Sequence, residues 1–218
     1  MADKAFTLPK VVSRDEWLTA RKELLAKEDE LTKARDALNV MRQELPMVEV
    51  DKDYVFMGVD GKAGLLDMFE GRHQLITHHV MWLDDEAQVC PHCTMHMSDL
   101  GHLPNLHDAD TTLAIISRGP QDQLEADRLR KGWAAPCYSS QGSDFNYDYH
   151  VSLDKNVAPV LMNYEAPESE DVKGDVPAVS VFVRDDENRV FHTYSLYMSG
   201  METLIFTMMY LDLTPRGR

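Results

Sequence analysis

The chain has 218 residues, with 22 Lys and Arg against 37 Asp and Glu, a formal net charge of −15. Hydrophobic residues make up 44% and charged residues 27%, ordinary globular usage that excludes wholesale disorder. The acidic balance excludes nucleic acid as a partner, because a phosphate backbone needs a Lys/Arg face to displace its counterions, and it disfavours anionic membrane surfaces for the same reason.

No stretch approaches the roughly 20 apolar residues that span a bilayer. Met1 to Leu8 carries Asp3 and Lys4 and lacks the apolar core of an export signal, so a cytoplasmic location is expected. Three cysteines do not make a disulfide framework. In a reducing compartment the close pair Cys90 and Cys93 points to redox or metal chemistry.

Ser13 with Glu16 forms a capping-box pattern that opens a long helix, and Pro46 closes it. Trp17, Leu24, Leu31, Leu38 and Leu45 recur every seven residues, with Ala20, Ala34 and Met41 at a second seam position and Lys27 interrupting it. The helix lies across its own domain or forms an arm that packs on a second subunit, and on the second reading the protein is a homo-oligomer. The domain division expected is a helical arm over 1–46 and an α/β domain over 47–218.

Val48 to Met57 predicts one or two short strands, Asp60-Gly61 a turn, and Leu65 to Phe69 a helical turn closed by Gly71. Leu75 to Trp82 is a continuous apolar run enclosing His78 and His79, the pattern of a strand buried on both faces. On such a strand one histidine is expected to face the core and the other the surface. A helix is predicted over Cys93 to His107, a second buried strand over Thr111 to Ser117, and a helix over Gln121 to Lys131 stopped by Gly132.

Residues 134 to 176 are irregular, and the carboxylate-rich Glu165 to Asp175 reads as a solvated loop. Ala178 to Arg184 and Val190 to Leu196 read as a strand pair joined by the turn Asp185 to Asn188, and Met201 to Leu211 as a final helix. The order from Leu75 is β-α-β-α, an insertion, then β-β-α. That order implies an α/β fold, a mixed sheet with a parallel portion, an antiparallel closing pair and helices on both faces.

Cys90-Pro91-His92-Cys93 stands where the buried strand gives way to a helix. Two thiols at this spacing reach disulfide geometry across one helical turn. The first lies near unpaired backbone N–H groups and the positive end of the helix dipole, which favour thiolate, so Cys90 is the expected nucleophile. Cys93 is placed to attack a mixed disulfide on Cys90, and a protonated His92 between them would further stabilise the thiolate. The same residues allow metal binding: Cys90, Cys93 and His96, with His79 among the candidates for a fourth donor, would suit zinc or copper. For His96 the bland expectation is ordinary helix surface. Tyr138, Ser139, Ser140, Asp144 and Asn146 fall in an irregular segment suited to a substrate-binding wall, or to an ordered loop whose polar groups cap turns.

The Cys-Pro-His-Cys motif resembles the redox motif of the thioredoxin superfamily, and Val176-Pro177 matches the place where that superfamily carries a cis-proline facing the two cysteines. The stretch from Gly64 to Arg72 is similar to the lead-in of peroxiredoxin-like members. Over nearly its full length the chain resembles the bacterial thioredoxin-like family known as DUF899, a domain of unknown function. Asp53-Tyr54-Val55-Phe56, Leu65 to Arg72, Cys90-Pro91-His92-Cys93, Tyr138 to Asp148, Phe191-His192-Thr193-Tyr194-Ser195 and Tyr210 to Arg218 carry that resemblance. It implies a thioredoxin-like mixed sheet flanked by helices, with a long N-terminal helix and an insertion before the third core strand. It also implies thiol–disulfide exchange on a protein or small-molecule thiol or disulfide, with Pro177 positioning an extended substrate and no cofactor beyond the redox-active disulfide. A metal-binding protein using zinc or copper, and a non-catalytic interaction scaffold, are the alternative readings.

Overall fold

The computed structural model describes residues 7–168 and 171–218, the side chain of Ser199 apart. Met1 to Phe6, and Ser169 with Glu170 from the expected solvated loop, lie outside the described residues. Contacts divide the chain into two units, Met47–Met208 and Met1–Pro46 together with Met209–Arg218. No helix among the described residues is long and apolar enough to cross a membrane.

In the second unit, helix α1 (Arg14–Gln43) runs 30 residues, about 45 Å at 1.5 Å per residue. Its start is the expected reciprocal cap. The Glu16 N–H donates to the Ser13 hydroxyl at 3.3 Å, and the Ser13 N–H donates to the Glu16 carboxylate at 3.0 Å. The helix buries none of its residues.

The larger unit begins with β1 (Val48–Glu49) and the hairpin of β2 (Val55–Gly58) and β3 (Gly61–Gly64). A 3₁₀ turn over Leu66–Phe69 leads to β4 (Gln74–His79). The apolar run therefore does not continue as one strand to Trp82: β5 (Trp82–Leu83) and β6 (Gln88–Val89) fold into a separate small hairpin. The long helix expected over Cys93–His107 is two helices, α2 (Pro91–Ser98) and α3 (Leu103–Asp108). Gly101 and Pro104 explain the break, since proline cannot donate to a continuing helical ladder and restricts the residue before it. Next come β7 (Thr111–Ser117) and α4 (Gln121–Lys131), which ends where Gly132 adopts a left-handed φ of 71°.

The irregular region holds β8 (Cys137–Ser139), α5 (Phe145–Asp148), β9 (Ser152–Leu153) and β10 (Gly174–Asp175), elements too short for a periodic signal. Then β11 (Ala178–Arg184) and β12 (Val190–Tyr197) form the closing pair. The final helix is also shorter than expected. A 3₁₀ stretch over Met198–Leu204 and α6 (Phe206–Leu211) are separated by Ile205, extended and fully buried.

The main sheet has the order β1-β12-β11-β4-β7-β8-β2-β3. At its centre β4 runs parallel to β7 and antiparallel to β11, which in turn runs antiparallel to β12. That β7-β4-β11-β12 arrangement, with the Cys-Pro-His-Cys helix as the first crossover, is the mixed sheet the element order implies and the thioredoxin-like core the resemblance implies.

Every residue of β7 is buried, and its alternate side chains enter two separate cores. Leu113 and Ile115 join Met97, Leu103, Leu124 and Trp133 on the α2–α4 face. Ala114 and Ile116 join Phe56, Phe69, Leu75, Phe145 and Phe182 on the other. The register pairs His78 with Ile115 and His79 with Ile116, so the two histidines enter opposite cores. Neither is a surface residue. Both faces of the sheet are covered, and both histidines are buried.

Candidate active site

Cys90 is the N-cap of α2, in an extended conformation, with Pro91 in the first helical turn. Proline suits that place because its missing N–H would have no partner there. The β5–β6 hairpin loops out between β4 and the helix, yet the two cysteines remain against the segment that follows β4. The Cys90 N–H donates to the Met81 carbonyl at 3.0 Å. The Met81 backbone favours the Cys93 thiolate and the Cys90 side chain disfavours it, so both lie beside that sulfur.

Exposure separates the two sulfurs. Cys90 is partly exposed, whereas Cys93 is 1% exposed, packed with Trp82, Val89 and Met97. Burial pushes the Cys93 thiol up to about 12. The Met81 N–H opposes that rise, and Cys90 and the Asp175 carboxylate add to it. Cys137 is buried on β8, and burial likewise pushes its thiol up to about 12.

Two buried carboxylates, neither singled out by the sequence pattern, hold the frame around the cysteines. Asp127 on α4 accepts the Val89 N–H at 3.1 Å, immediately before Cys90. Its oxygens also pair with Arg130 and, at 3.1 Å, with Lys131. Burial would raise the Asp127 pKa, but these donors outweigh it and hold the carboxyl below its usual range. Lys131 also donates to the Thr94 hydroxyl at 3.0 Å, joining α4 to α2.

Asp175 lies in the stretch expected to be a solvated loop, yet its side chain is 4% exposed. It accepts from Arg118 Nε and Ser152 Oγ, each at 2.6 Å, and from the Trp82 N–H at 3.4 Å. Three partners spread over the chain draw one carboxylate inward, and a local composition signal cannot register that. A cleft of about 430 Å³ runs along Met81, Trp82, Asp84, Asp85, Glu86 and Gly174–Asp175.

Pro177 directly precedes β11, one residue beyond the last β11–β4 pair, Ala178 with His79. Its carbonyl accepts the Met198 N–H at 3.1 Å. No peptide bond among the described residues is cis, so Val176–Pro177 is trans, unlike the superfamily feature the resemblance implied.

The Tyr138–Asn146 stretch places its polar groups against its own chain. Ser139 Oγ donates to the Gly119 carbonyl at 2.6 Å, and Ser140 Oγ to Asn146 Oδ1 at 2.8 Å; all three side chains are buried. Asp144 is exposed and paired with Lys52 at 2.9 Å. Tyr138 lines a cavity of about 580 Å³ with Gly58, Lys62, Glu125, Arg128 and Cys137. Neither Cys90 nor Cys93 lines it.

The four donors Cys90, Cys93, His96 and His79 do not converge. His79 faces the core opposite α2, stacked on Phe145 with ring centroids 5.7 Å apart and bonded to Ser180 Oγ at 3.1 Å. His78 is the histidine that meets His96, edge to face with centroids 5.8 Å apart. His96 itself is buried, not surface. Among the described residues, no three His, Cys, Asp or Glu side chains gather as a complete metal-ligand set.

Among curated proteins none matches the chain. Similar solved structures include a cysteine mutant of Xanthomonas campestris peroxiredoxin Q, 15% identical with a TM-score of 0.47, covering 74% of this chain and 90% of that one. A cysteine mutant of Xylella fastidiosa PrxQ is 11% identical with a TM-score of 0.49, covering 76% and 94%. Peroxidoxin BcpB from Mycobacterium tuberculosis is 13% identical with a TM-score of 0.48, covering 70% and 85%. Residues 6–218 match the family described as bacterial protein of unknown function (DUF899), and the chain belongs to that family.

Proposed function

We propose that the protein is a thiol–disulfide oxidoreductase working through Cys90 and Cys93. The observation that carries this reading is the pairing of a reachable cysteine at a helix N-cap with a buried one in the first turn of the same helix. Exchange begins at a thiolate that a second molecule can touch, and a neighbouring thiol that it cannot touch is left to resolve the mixed disulfide.

In the reductive direction the Cys90 thiolate attacks one sulfur of a substrate disulfide. A new S–S bond joins Cys90 to the substrate, and the other substrate sulfur leaves as a thiolate that takes a proton. Cys93 then gives up its proton and attacks the Cys90 sulfur, closing the Cys90–Cys93 disulfide and releasing the second substrate thiol. Two electrons pass to the substrate, and an external dithiol must return them. With its thiol pushed up to about 12, Cys93 reacts only when its proton is taken by the departing sulfur or by water. That ordering keeps Cys93 from competing with Cys90 for the incoming disulfide. Asp127, Lys131 and Asp175 act as positioning residues for the segments that carry the two sulfurs.

The test is insulin-disulfide reduction by the pre-reduced protein. Cys90→Ser should abolish turnover, and Cys93→Ser should accumulate a mixed disulfide on Cys90. Equal turnover by Cys90→Ser removes the assignment.

A further inference from the structure

His92 and His96 stand one turn apart on the same side of α2, with Nε2 atoms 3.4 Å apart and rings 5.0 Å between centroids. That separation is long for a good N–H···N hydrogen bond, whose N–H donor distances centre near 3 Å. It does match a chelate bite. A tetrahedral ion with metal–nitrogen bonds of about 2.0–2.1 Å holds two ligand nitrogens about 3.3–3.4 Å apart. Two histidines at i and i+4 are a standard way for one helix face to present such a pair.

The surroundings suit neutral imidazoles. Burial, followed by the neighbouring His92, lowers the His96 pKa. His96 Nδ1 is buried and has no hydrogen-bond partner. Its Nε2 atom faces Nε2 of His92. The buried His78 ring lies edge-on behind His96, and burial holds it neutral as well, its pKa pushed down to about 3. His92 is exposed, so an ion has an entry path from solvent.

We propose that His92 and His96 form a two-imidazole site for a borderline divalent transition metal, Zn²⁺ or Cu²⁺, using nitrogen donors alone and independent of the two thiols. Two protein ligands leave the remaining positions to water or an incoming ligand, which makes the site open and exchangeable. The proposal does not rest on the thiol–disulfide reading, because neither cysteine is a ligand.

The experiment is calorimetric titration of Zn²⁺ into full-length Cys90→Ser/Cys93→Ser protein, which removes the two motif thiols as donors. About one ion per chain is expected, with affinity reduced about tenfold or more by His92→Ala or His96→Ala and unchanged by His102→Ala. In the Cu²⁺-loaded protein, electron paramagnetic resonance should show hyperfine coupling to two imidazole nitrogens. His92 is exposed, so His92→Ala should melt at the parent temperature and remains informative if His96→Ala fails to fold. Undetectable binding at millimolar Zn²⁺, or equal affinity in His92→Ala, overturns the site. Absence of disulfide-reducing turnover in the parent protein, with Zn²⁺ binding intact in the double variant, would overturn the exchange reading and leave this one standing.

Discussion

The carboxylate of Asp127 accepts the backbone N–H of Val89 at 3.1 Å, fixing the residue before Cys90 to the middle of α4. Asp127→Ala leaves that buried N–H without a partner and strips Lys131 of its counter-charge. A stability loss of about 1–3 kcal/mol follows, read as a lower urea midpoint. Because the same bond positions Cys90, its alkylation rate should change as well. A variant with unchanged midpoint and unchanged Cys90 reactivity would show that the carboxylate positions nothing.

Gly119 sits under the ring of Trp82. A Cβ added there would lie 2.4 Å from Trp82 Cδ2 and Cε3. The ring is buried beside Val89 and Cys93, so it has little room to yield. Gly119→Ala is expected to cost about 1–3 kcal/mol by overpacking and to lower the melting temperature. Trp82→Phe in the same background should recover part of the loss; if it does not, the clash is not the cause.

Exposure and burial of the thiols predict an order of modification. Iodoacetamide at neutral pH should label Cys90 alone in the native reduced protein, and all three cysteines only after denaturation. Cys93 and Cys137 are both buried, with thiols pushed up to about 12. Peptide mass mapping reads the order directly. Cys137→Ala should leave disulfide-reducing turnover intact, because Cys137 lines a cavity that neither motif cysteine reaches.

Stability should fall on acidification. Burial lowers the pKa of both His78 and His79 from 6.5 to about 3, with His96 and His192 as further causes in turn. Between those limits the unfolded chain binds protons that the folded chain refuses. The stabilisation is therefore complete above pH 6.5 and is lost as pH falls toward 3. Each histidine contributes a slope of up to about 1.4 kcal/mol per pH unit. Urea midpoints at pH 7.5 and pH 5 test this, and His79→Gln should flatten the dependence. An unchanged midpoint at pH 5 contradicts the burial of both rings.

The heptad seam of α1 is open to solvent, with Leu24 55% and Leu31 71% exposed. A second copy paired in parallel would cover it, setting Glu16 of one helix beside Arg21 of the other and Glu30 beside Arg35, with Glu23 meeting Glu28 and Lys27 meeting its own copy as the repulsive contacts. Light scattering should give twice the chain mass of 24.9 kDa, and Leu24→Glu with Leu31→Glu should give the single mass. A monomeric parent chain would remove the pairing.

The residues alone determined the elements whose signal is local. Ser13 and Glu16 close their cap within one turn, so the start of α1 is legible from four residues. The unbroken apolar run of β7 and the Gly132 stop after α4 are equally local, and so is the spacing that sets Cys90 and Cys93 on one helical turn. Tertiary structure decided what depends on distant partners. His78 and His79 are adjacent in sequence, yet a pleated strand sends them to opposite faces of a covered sheet. That geometry removed His79 from the metal donors and delivered His78 to His96. Asp127 and Asp175 look like surface carboxylates until Val89, Lys131, Arg118 and Ser152 are folded around them. A buried charge is stable only when its partners arrive together, and apart from Lys131, one turn along α4 from Asp127, those partners lie tens of residues away on other elements.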